Sequence, residues 1–247
     1  MKKTNLVLAI AGAAVIVGMA GKVQAQTQPP TKNIFIDVNF GAQPSSRTLS
    51  VQALPVVYNE IAIVQANQGI NGASFMDIEG GYRVWRDFSV VLGLTSTFST
   101  KGTAEVTGGI PHPIFYDTRV ESRVSVADLS HREQSAHISF MWTSPVTDKI
   151  DASIMAGPSF IKVYQDLVSG VNVPAGTQTF TPISEKQTAT KGAFHIGGDI
   201  TYLITPMYGV GGLVRFVKAK ADLPSVPDLD IAGFQVGGGF RIRFNGF

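Results

Sequence analysis

From Ile34 onward the chain alternates apolar and polar side chains at a period of two, the spacing that sends successive side chains to opposite faces of a strand. Ile34, Ile36, Val38 and Phe40 oppose Phe35, Asp37, Asn39 and Gly41. The pattern returns over Phe75 to Val84, where Met76, Ile78, Tyr82 and Val84 oppose Asp77, Glu79 and Arg83. It returns again over Phe88 to Phe98, with Val90, Leu92, Leu94 and Phe98 on the apolar side. A fourth segment, Ser135 to Thr143, sets Ala136, Ile138, Phe140 and Trp142 against His137, Ser139, Met141 and Thr143. The fifth runs from Ile150 to about Tyr164, and Pro158 within it predicts a bulge. Ala193 to Ile204, Tyr208 to Lys218 and Gly233 to Phe244 complete eight predicted strands.

The joints between them sort by length. Connections 42–73, 99–134, 167–190 and 219–230 are long, while 85–87, 145–149 and 205–207 are short turns. The first long joint has a mildly apolar middle, Val51 to Val64, that suits a small hairpin or a helix. Long joints alternating with short ones, an even strand count and strands near the 9–11 residues of a tilted spanning strand are the marks of a bacterial transmembrane barrel. The expected fold is therefore all-β: an eight-stranded antiparallel up-and-down transmembrane barrel. The competing reading is a periplasmic sandwich or a lipocalin-like barrel, both of which need an apolar interior.

Charge decides which face is inside. Asp37, Asp77, Glu79, Arg83, Asp151, Asp199, Arg215, Arg241 and Arg243 all sit opposite the apolar set. An arginine or lysine facing lipid at mid-depth costs about 2–4 kcal/mol. Nine misplaced charges would exceed a typical folding stability of about 5–15 kcal/mol. The charged face must be the lumen, and an eight-stranded lumen is only wide enough for side chains to fill it. Buried charges there must pair and hydrogen-bond, which predicts an ion-pair network bridging the strands rather than an open pore.

The N-terminus departs from this period. Lys2 and Lys3 precede a 15-residue run of apolar residues and glycine, Leu6 to Ala20, and Val23-Gln24-Ala25 has the small-residue ending of a secretory cleavage site. Cleavage after Ala25, leaving Gln26 first, is expected; a retained anchor is the alternative. The domain reading is a signal peptide at 1–25, a short periplasmic lead-in at 26–32 and a barrel at 33–247. Of 20 basic residues, Lys2, Lys3 and Lys22 fall in the leader, so the mature chain carries 17 against 18 acidic ones. Nothing in that balance favours nucleic acid. The absence of cysteine removes thiolate metal sites, Cys nucleophiles and lipoprotein anchoring.

The last segment reads Gly-Phe-Gln-Val-Gly-Gly-Gly-Phe-Arg-Ile-Arg-Phe. Its Gly239, Ile242 and Phe244 resemble the C-terminal signal of bacterial outer-membrane barrels, though Asn245-Gly246-Phe247 follow, with Phe247 out of phase. The whole mature chain resembles the small eight-stranded OmpA/OmpX-type barrels in architecture and terminal signal. The resemblance implies outer-membrane localisation, insertion by the barrel assembly machinery, and contact with outer-membrane lipids and lipopolysaccharide. It implies no cofactor and names no ligand for the loops.

Three features invite chemistry. His137 and Ser139 stand at i, i+2, a spacing similar to the His-x-Ser of outer-membrane lipid A deacylases. A serine nucleophile needs a base that a third group orients. The motif there continues Ser-His-x-Ser-Asn, whereas this chain reads Ser135-Ala136-His137-Ile138-Ser139-Phe140, and both residues face the lumen. A hydrogen-bonded lumen histidine is the favoured reading. His195 joins it on that face, but on strands four and six the pair lacks tight metal-ligand spacing, so no metal is expected. Ile110 to Asp117 holds two prolines and two aromatics and reads as an ordered finger; a loop self-packed over the barrel mouth is the favoured reading, and contact with a partner or lipid is the alternative. The favoured function is a non-enzymatic surface barrel serving envelope integrity, adhesion or binding; a lipid-modifying enzyme and a narrow pore are the alternatives.

Overall fold

The computed structural model describes residues 32–245. The expected leader, the Ala25–Gln26 cleavage point, the lead-in before Lys32 and Phe247 lie outside the described residues. In chain order the strands are β1 (Ile34–Gln43), β2 (Arg47–Ala53), β3 (Val56–Val57), β4 (Glu60–Ile61), β5 (Ile63–Ile70), β6 (Ala73–Trp85), β7 (Phe88–Thr97), β8 (Thr100–Pro111), β9 (Arg119–Thr147), β10 (Ile150–Asn172), β11 (Thr181–Leu203), β12 (Tyr208–Leu223) and β13 (Val226–Phe244). The described residues contain no helix.

Eight of these strands close a ring. The order β10-β11-β12-β13-β1-β6-β7-β9 returns to its start through a β9–β10 ladder, and its pairings are antiparallel. The last strand zips to the first, from Ile34 opposite Phe244 to Ala42 opposite Val236. Closure leaves the ring no open edge, so its backbone polar groups are satisfied without water.

Around this ring the even-numbered residues of β10 to β13, among them Ile154, Phe160, Phe194, Ile196, Val214, Phe216, Phe234 and Phe240, point outward and are exposed. Tyr82, Trp85, Phe88, Trp142, Tyr202 and Tyr208 mark one edge of the apolar band, and Phe40, Phe98, Phe160, Phe194, Phe216 and Phe234 the other. Eleven residues from Phe234 to Phe244 span about 33 Å along the strand, or about 25 Å in height at a tilt of about 40°, the thickness of a barrel's apolar belt. A face this greasy on a folded monomer marks contact with lipid.

The long joints are the main departure from expectation. The stretches 42–73, 99–134, 167–190 and 219–230 are mostly strand, not loop. β9 is 29 residues long. Its lower half pairs β7 and its upper half pairs β8. β5 then adds to β8, and β2 to β5. The apolar middle of the first joint forms the β3–β4 hairpin, not a helix. Above the apolar band the sheet thus continues into a cap with its own apolar interior. Leu49, Ile70, Ile161, Val163, Leu167, Val217, Ala221 and Leu229 form one cluster, and Val64, Ala104, Val106, Ile110, Leu129 and Phe180 belong to another. Inside the band the interior is mostly polar; its apolar members include Val91, Met141, Met155 and Leu213, with Phe35 packed against them, and the buried Phe75.

No bulge forms at Pro158. Its neighbours keep one register with β9, Ala156 opposite Phe140 and Ser159 opposite His137. The proline lacks an N–H to donate and leaves a gap in the ladder without inserting an extra residue. The register shifts lie elsewhere, between Arg83 and Trp85, Gly102 and Ala104, Val168 and Gly170, and Ala221 and Leu223 among other places.

Candidate functional site

Within the band the inward faces of six strands, β1, β6 and β10 to β13, bring the charged residues together. Arg215 on β12 is buried and donates from Nη1 to Asp77 Oδ1 at 2.9 Å and to Thr95 Oγ1 at 2.9 Å, and from Nη2 to Glu79. Arg241 on β13 donates to Asp199 and to Asn39 Oδ1 (2.7 Å), and its Nε lies 3.7 Å from Asp37. Arg243 pairs with Asp151. Asn39 links the first two groups by donating from Nδ2 to Asp77 Oδ2 at 3.1 Å. Gly211 makes room for Arg241: a Cβ there would meet the guanidinium at 2.8 Å. Arg83 does not join. It lies at the lower mouth with Lys32 and Arg243, on a cleft of only about 20 Å³, which is room for about one water. Register explains its place: Arg83 sits at the strand end beside the short turn, beyond the layer that Asp77 and Glu79 occupy.

The histidines extend this network. Thr95 Oγ1 donates to Asp77 Oδ1 (2.6 Å) and must therefore accept from His137 Nε2 (3.0 Å). His137 Nδ1 then accepts from Ser159 Oγ (2.7 Å), whose oxygen accepts from His195 Nδ1 (2.8 Å). His195 Nε2 is left to accept from Ser139 Oγ (2.8 Å). One direction of donation satisfies every member of the chain. His137 and Ser139, adjacent in sequence spacing, do not pair with each other; each bonds a residue of another strand. The two rings, predicted apart, stand 5.1 Å between centroids. Ser139 has a base, but that base is oriented by a serine hydroxyl, and the pair is sealed at 1% exposure each. Among the described residues no three His, Asp or Glu side chains converge as a metal site.

A second polar layer, which the sequence reading missed, sits where the band meets the cap. Glu133 on β9 accepts from Gln43 Nε2 (2.9 Å), from Arg47 Nη1 (3.3 Å) and from the Ala232 amide (3.0 Å), and contacts His131 Nε2 at 3.2 Å. Arg47 also donates to the carbonyls of Asp230 and Ala232. This clamps β13 where Ala232 takes a positive φ of 61°. Glu133 lies above the apolar band, since its outward neighbours are Arg132 and Gln134. Burial pushes its carboxyl up, and the hydrogen bond from His131, Arg47 and Gln43 more than offset this, holding it at about 2. The only local signal was an acid flanked by Arg and Gln in a stretch that reads as loop.

The finger stands at the far end of the cap. His112 Nδ1 accepts the amides of Ile114 (3.0 Å) and Phe115 (3.1 Å), and its ring packs on Phe115 at 4.7 Å. Glu60 on β4 accepts the Asp117 amide, so the β3–β4 hairpin sits beside the finger. Ile114, Phe115 and Tyr116 are 80%, 63% and 84% exposed. The finger is therefore not packed over the mouth, because the cap core already fills that space. Leu54, Val56 and Ile61, on or next to the neighbouring hairpin, are exposed too.

At the other end Gly239 faces inward, where a Cβ would lie 1.8 Å from the Val38 carbonyl oxygen, while Ile242 and Phe244 lie on the lipid side. The terminal motif thus coincides with the strand that closes the ring.

No family model matches the chain, and no curated protein is detectably similar to it. Solved structures with a similar fold include Neisserial surface protein A (12% identical, TM-score 0.48, 85% of this chain and 97% of that one). Others are the outer membrane protein OprG of Pseudomonas aeruginosa (8%, 0.45, 87% and 97%) and the outer membrane protease OmpT of Escherichia coli (11%, 0.49, 90% and 100%). At these scores the likeness says nothing of function. By its closed register, apolar exterior and charged, side-chain-filled interior, the chain is an integral β-barrel of the outer-membrane type.

Proposed function

We propose that this barrel is a non-enzymatic surface-binding protein, with its short turns in the periplasm and its cap outside the cell. The observation that carries this reading is the distal cluster of Ile114, Phe115 and Tyr116. Large apolar side chains are exposed there on a backbone braced by His112 and Glu60. A preorganised aromatic tip loses little conformational freedom on binding. The ion-paired lumen is then scaffold. The test is adherence of cells displaying the protein to immobilised proteins and glycans. A Phe115→Ser, Tyr116→Ser double variant at equal surface level should lose adherence about tenfold, and equal adherence by the variant overturns the reading.

One contact favours an enzyme: Ser139 donating to His195 Nε2 is the arrangement of an activated nucleophile. It lacks an orienting carboxylate and space for a substrate. Ser139→Ala should leave lipid A acylation unchanged; altered acylation would favour the hydrolase instead. A pore is tested by planar-bilayer conductance, expected to be absent or small.

A further inference from the structure

Two braced segments stand together at the far end of the cap. One is the β3–β4 hairpin, whose Tyr58 and Asn59 take positive φ values of 53° and 63°, the left-handed pair that a two-residue hairpin turn requires. The Tyr58 hydroxyl donates to the Thr177 carbonyl (2.8 Å) and accepts from the Thr177 amide (2.9 Å), which ties the hairpin to the β10–β11 connection. The other is the finger, joined to the hairpin through Glu60. Together they expose Leu54, Val56, Ile61, Ile114, Phe115 and Tyr116, and Val56 at 73% stands out from the surface as Ile114 and Tyr116 do. From Thr100, close to Phe98 at the rim of the apolar band, β8 runs for 12 residues to Pro111. That is about 36 Å along the strand, or about 28 Å in height at a tilt of about 40°. The tip is therefore out of reach of the bilayer that holds the barrel.

The chemistry of the tip selects its partner. A protein is recognised through about one hydrogen bond per 100–200 Å² of interface, a glycan covered in hydroxyls asks for more, and the tip has few to give. Pro111 and Pro113 have no N–H. The His112 amide is taken by the Thr118 carbonyl (2.7 Å), those of Ile114 and Phe115 by His112 Nδ1, and that of Asp117 by Glu60. Of the six exposed apolar side chains, only that of Tyr116 carries a polar group. A bilayer asks for the opposite: apolar side chains, backbone N–H groups already paired before water is stripped away, and an aromatic hydroxyl at the headgroup boundary. The charged residues of the two segments are Glu60, Asp117 and Arg119, two acids against one base, so no basic cluster draws the tip to anionic lipid. We infer that the finger and the β3–β4 hairpin insert together into a second bilayer of zwitterionic phospholipid, opposite the one that holds the barrel. The inference names the partner class of the surface-binding reading and rests on it.

The test mixes the full mature chain, held in nanodiscs, with separate phosphatidylcholine vesicles and measures co-flotation against empty nanodiscs. The wild type should float with the vesicles, equally at about 0.1 M and about 1 M salt. The Phe115→Ser, Tyr116→Ser variant should lose at least about tenfold in vesicle affinity. In a Phe115→Trp variant, vesicles of brominated phosphatidylcholine should quench the new emission and spare Trp85 and Trp142, which stay in the barrel's own bilayer. The heat-dependent gel shift on the same samples shows that each variant is folded. No flotation of the wild type, equal flotation of the serine variant, or flotation abolished by salt overturns the inference. So does a wild type whose nanodiscs pair with one another and ignore the vesicles, which makes a second copy the occupant. If the serine variant then still loses adherence to immobilised proteins and glycans, the surface-binding reading stands with a different partner; if it keeps both adherence and flotation, both readings fall.

Discussion

Replacing Arg215 with leucine tests the lumen most directly. The guanidinium is 1% exposed overall and touches two carboxylates, Asp77 and Glu79, that are 0% and 3% exposed. Leucine fills part of the space but leaves both acids buried without a cation. Breaking a buried pair by removing one partner costs about 3–5 kcal/mol, because the remaining charge is uncompensated. With tenfold per about 1.4 kcal/mol, the folding equilibrium should shift by about two to three and a half decades. Thr95 and Asn39 still donate to Asp77, which places Arg215→Leu nearer the lower figure and leaves Glu79 as the worse orphan. The assay is urea titration of the barrel in phospholipid vesicles, followed by the gel shift between folded and unfolded forms. Adding Glu79→Gln and Asp77→Asn to Arg215→Leu removes the orphan charges and should recover more than half of the loss, since a neutral, hydrogen-bonded set can replace a buried ion pair. A loss below about 1 kcal/mol for Arg215→Leu, or no recovery in the triple variant, would refute a desolvated network and point to a water-filled lumen.

The remaining predictions concern the junction, the relay and the closing strand. Glu133 is held at about 2 against an ordinary 4.5, so its stabilising contribution is complete above about pH 4.5 and is lost as pH falls toward 2. The difference is worth about 3 kcal/mol, and the cap should become protease-sensitive over that range; Glu133→Gln should be sensitive already at pH 6 and show no acid step, and an unchanged acid step in that variant would show another group responsible. Nitrogen NMR of ring-labelled protein should find His137 protonated at Nε2 and His195 at Nδ1, as the donation chain from Ser139 to Asp77 requires; the opposite tautomers would break it. Gly239→Ala should slow barrel closure or destabilise it by about 1–3 kcal/mol, measured by the yield of the heat-shifted species, because its Cβ meets the Val38 carbonyl; an unaffected yield would show that β1 and β13 are less closely apposed.

The eight spanning strands were legible because lipid is an unforgiving solvent. Each outward position from Ile34 to Phe244 had to be apolar or small, which imposes one phase on every strand. The partners of the charges were not legible. Nothing in the spacing of Arg215 and Arg241 shows that the first would take Asp77 and Glu79 and the second Asp199, since those pairings depend on the stagger of a closed ring. Arg83 has the right residue type and face, and only its height in the barrel separates it from the pairs.

The cap was hidden by a change of sense within continuous strands. On β10 the apolar residues move from even positions, Ile154 and Phe160, to odd ones, Ile161, Val163 and Leu167, and Lys162 takes the outward place. On β12 they move from Val214 and Phe216 to Val217, Ala219 and Ala221 as Lys218 turns outward. A slip of one residue would produce the same change, but the β12–β13 ladder runs without a shift from Tyr208 opposite Ile242 to Ala221 opposite Leu229. The sheet therefore keeps its register while its surroundings change. Below the switch, lipid outside demands apolar outward residues; above it, water outside demands polar ones, and the interior answers with the opposite character. A search for one apolar phase ends these strands at about Tyr164 and at Lys218, shortly past the last outward aromatic, and reads the remainder as loop. The switch points themselves trace the membrane surface around the barrel to within about one strand residue, about 3.3 Å.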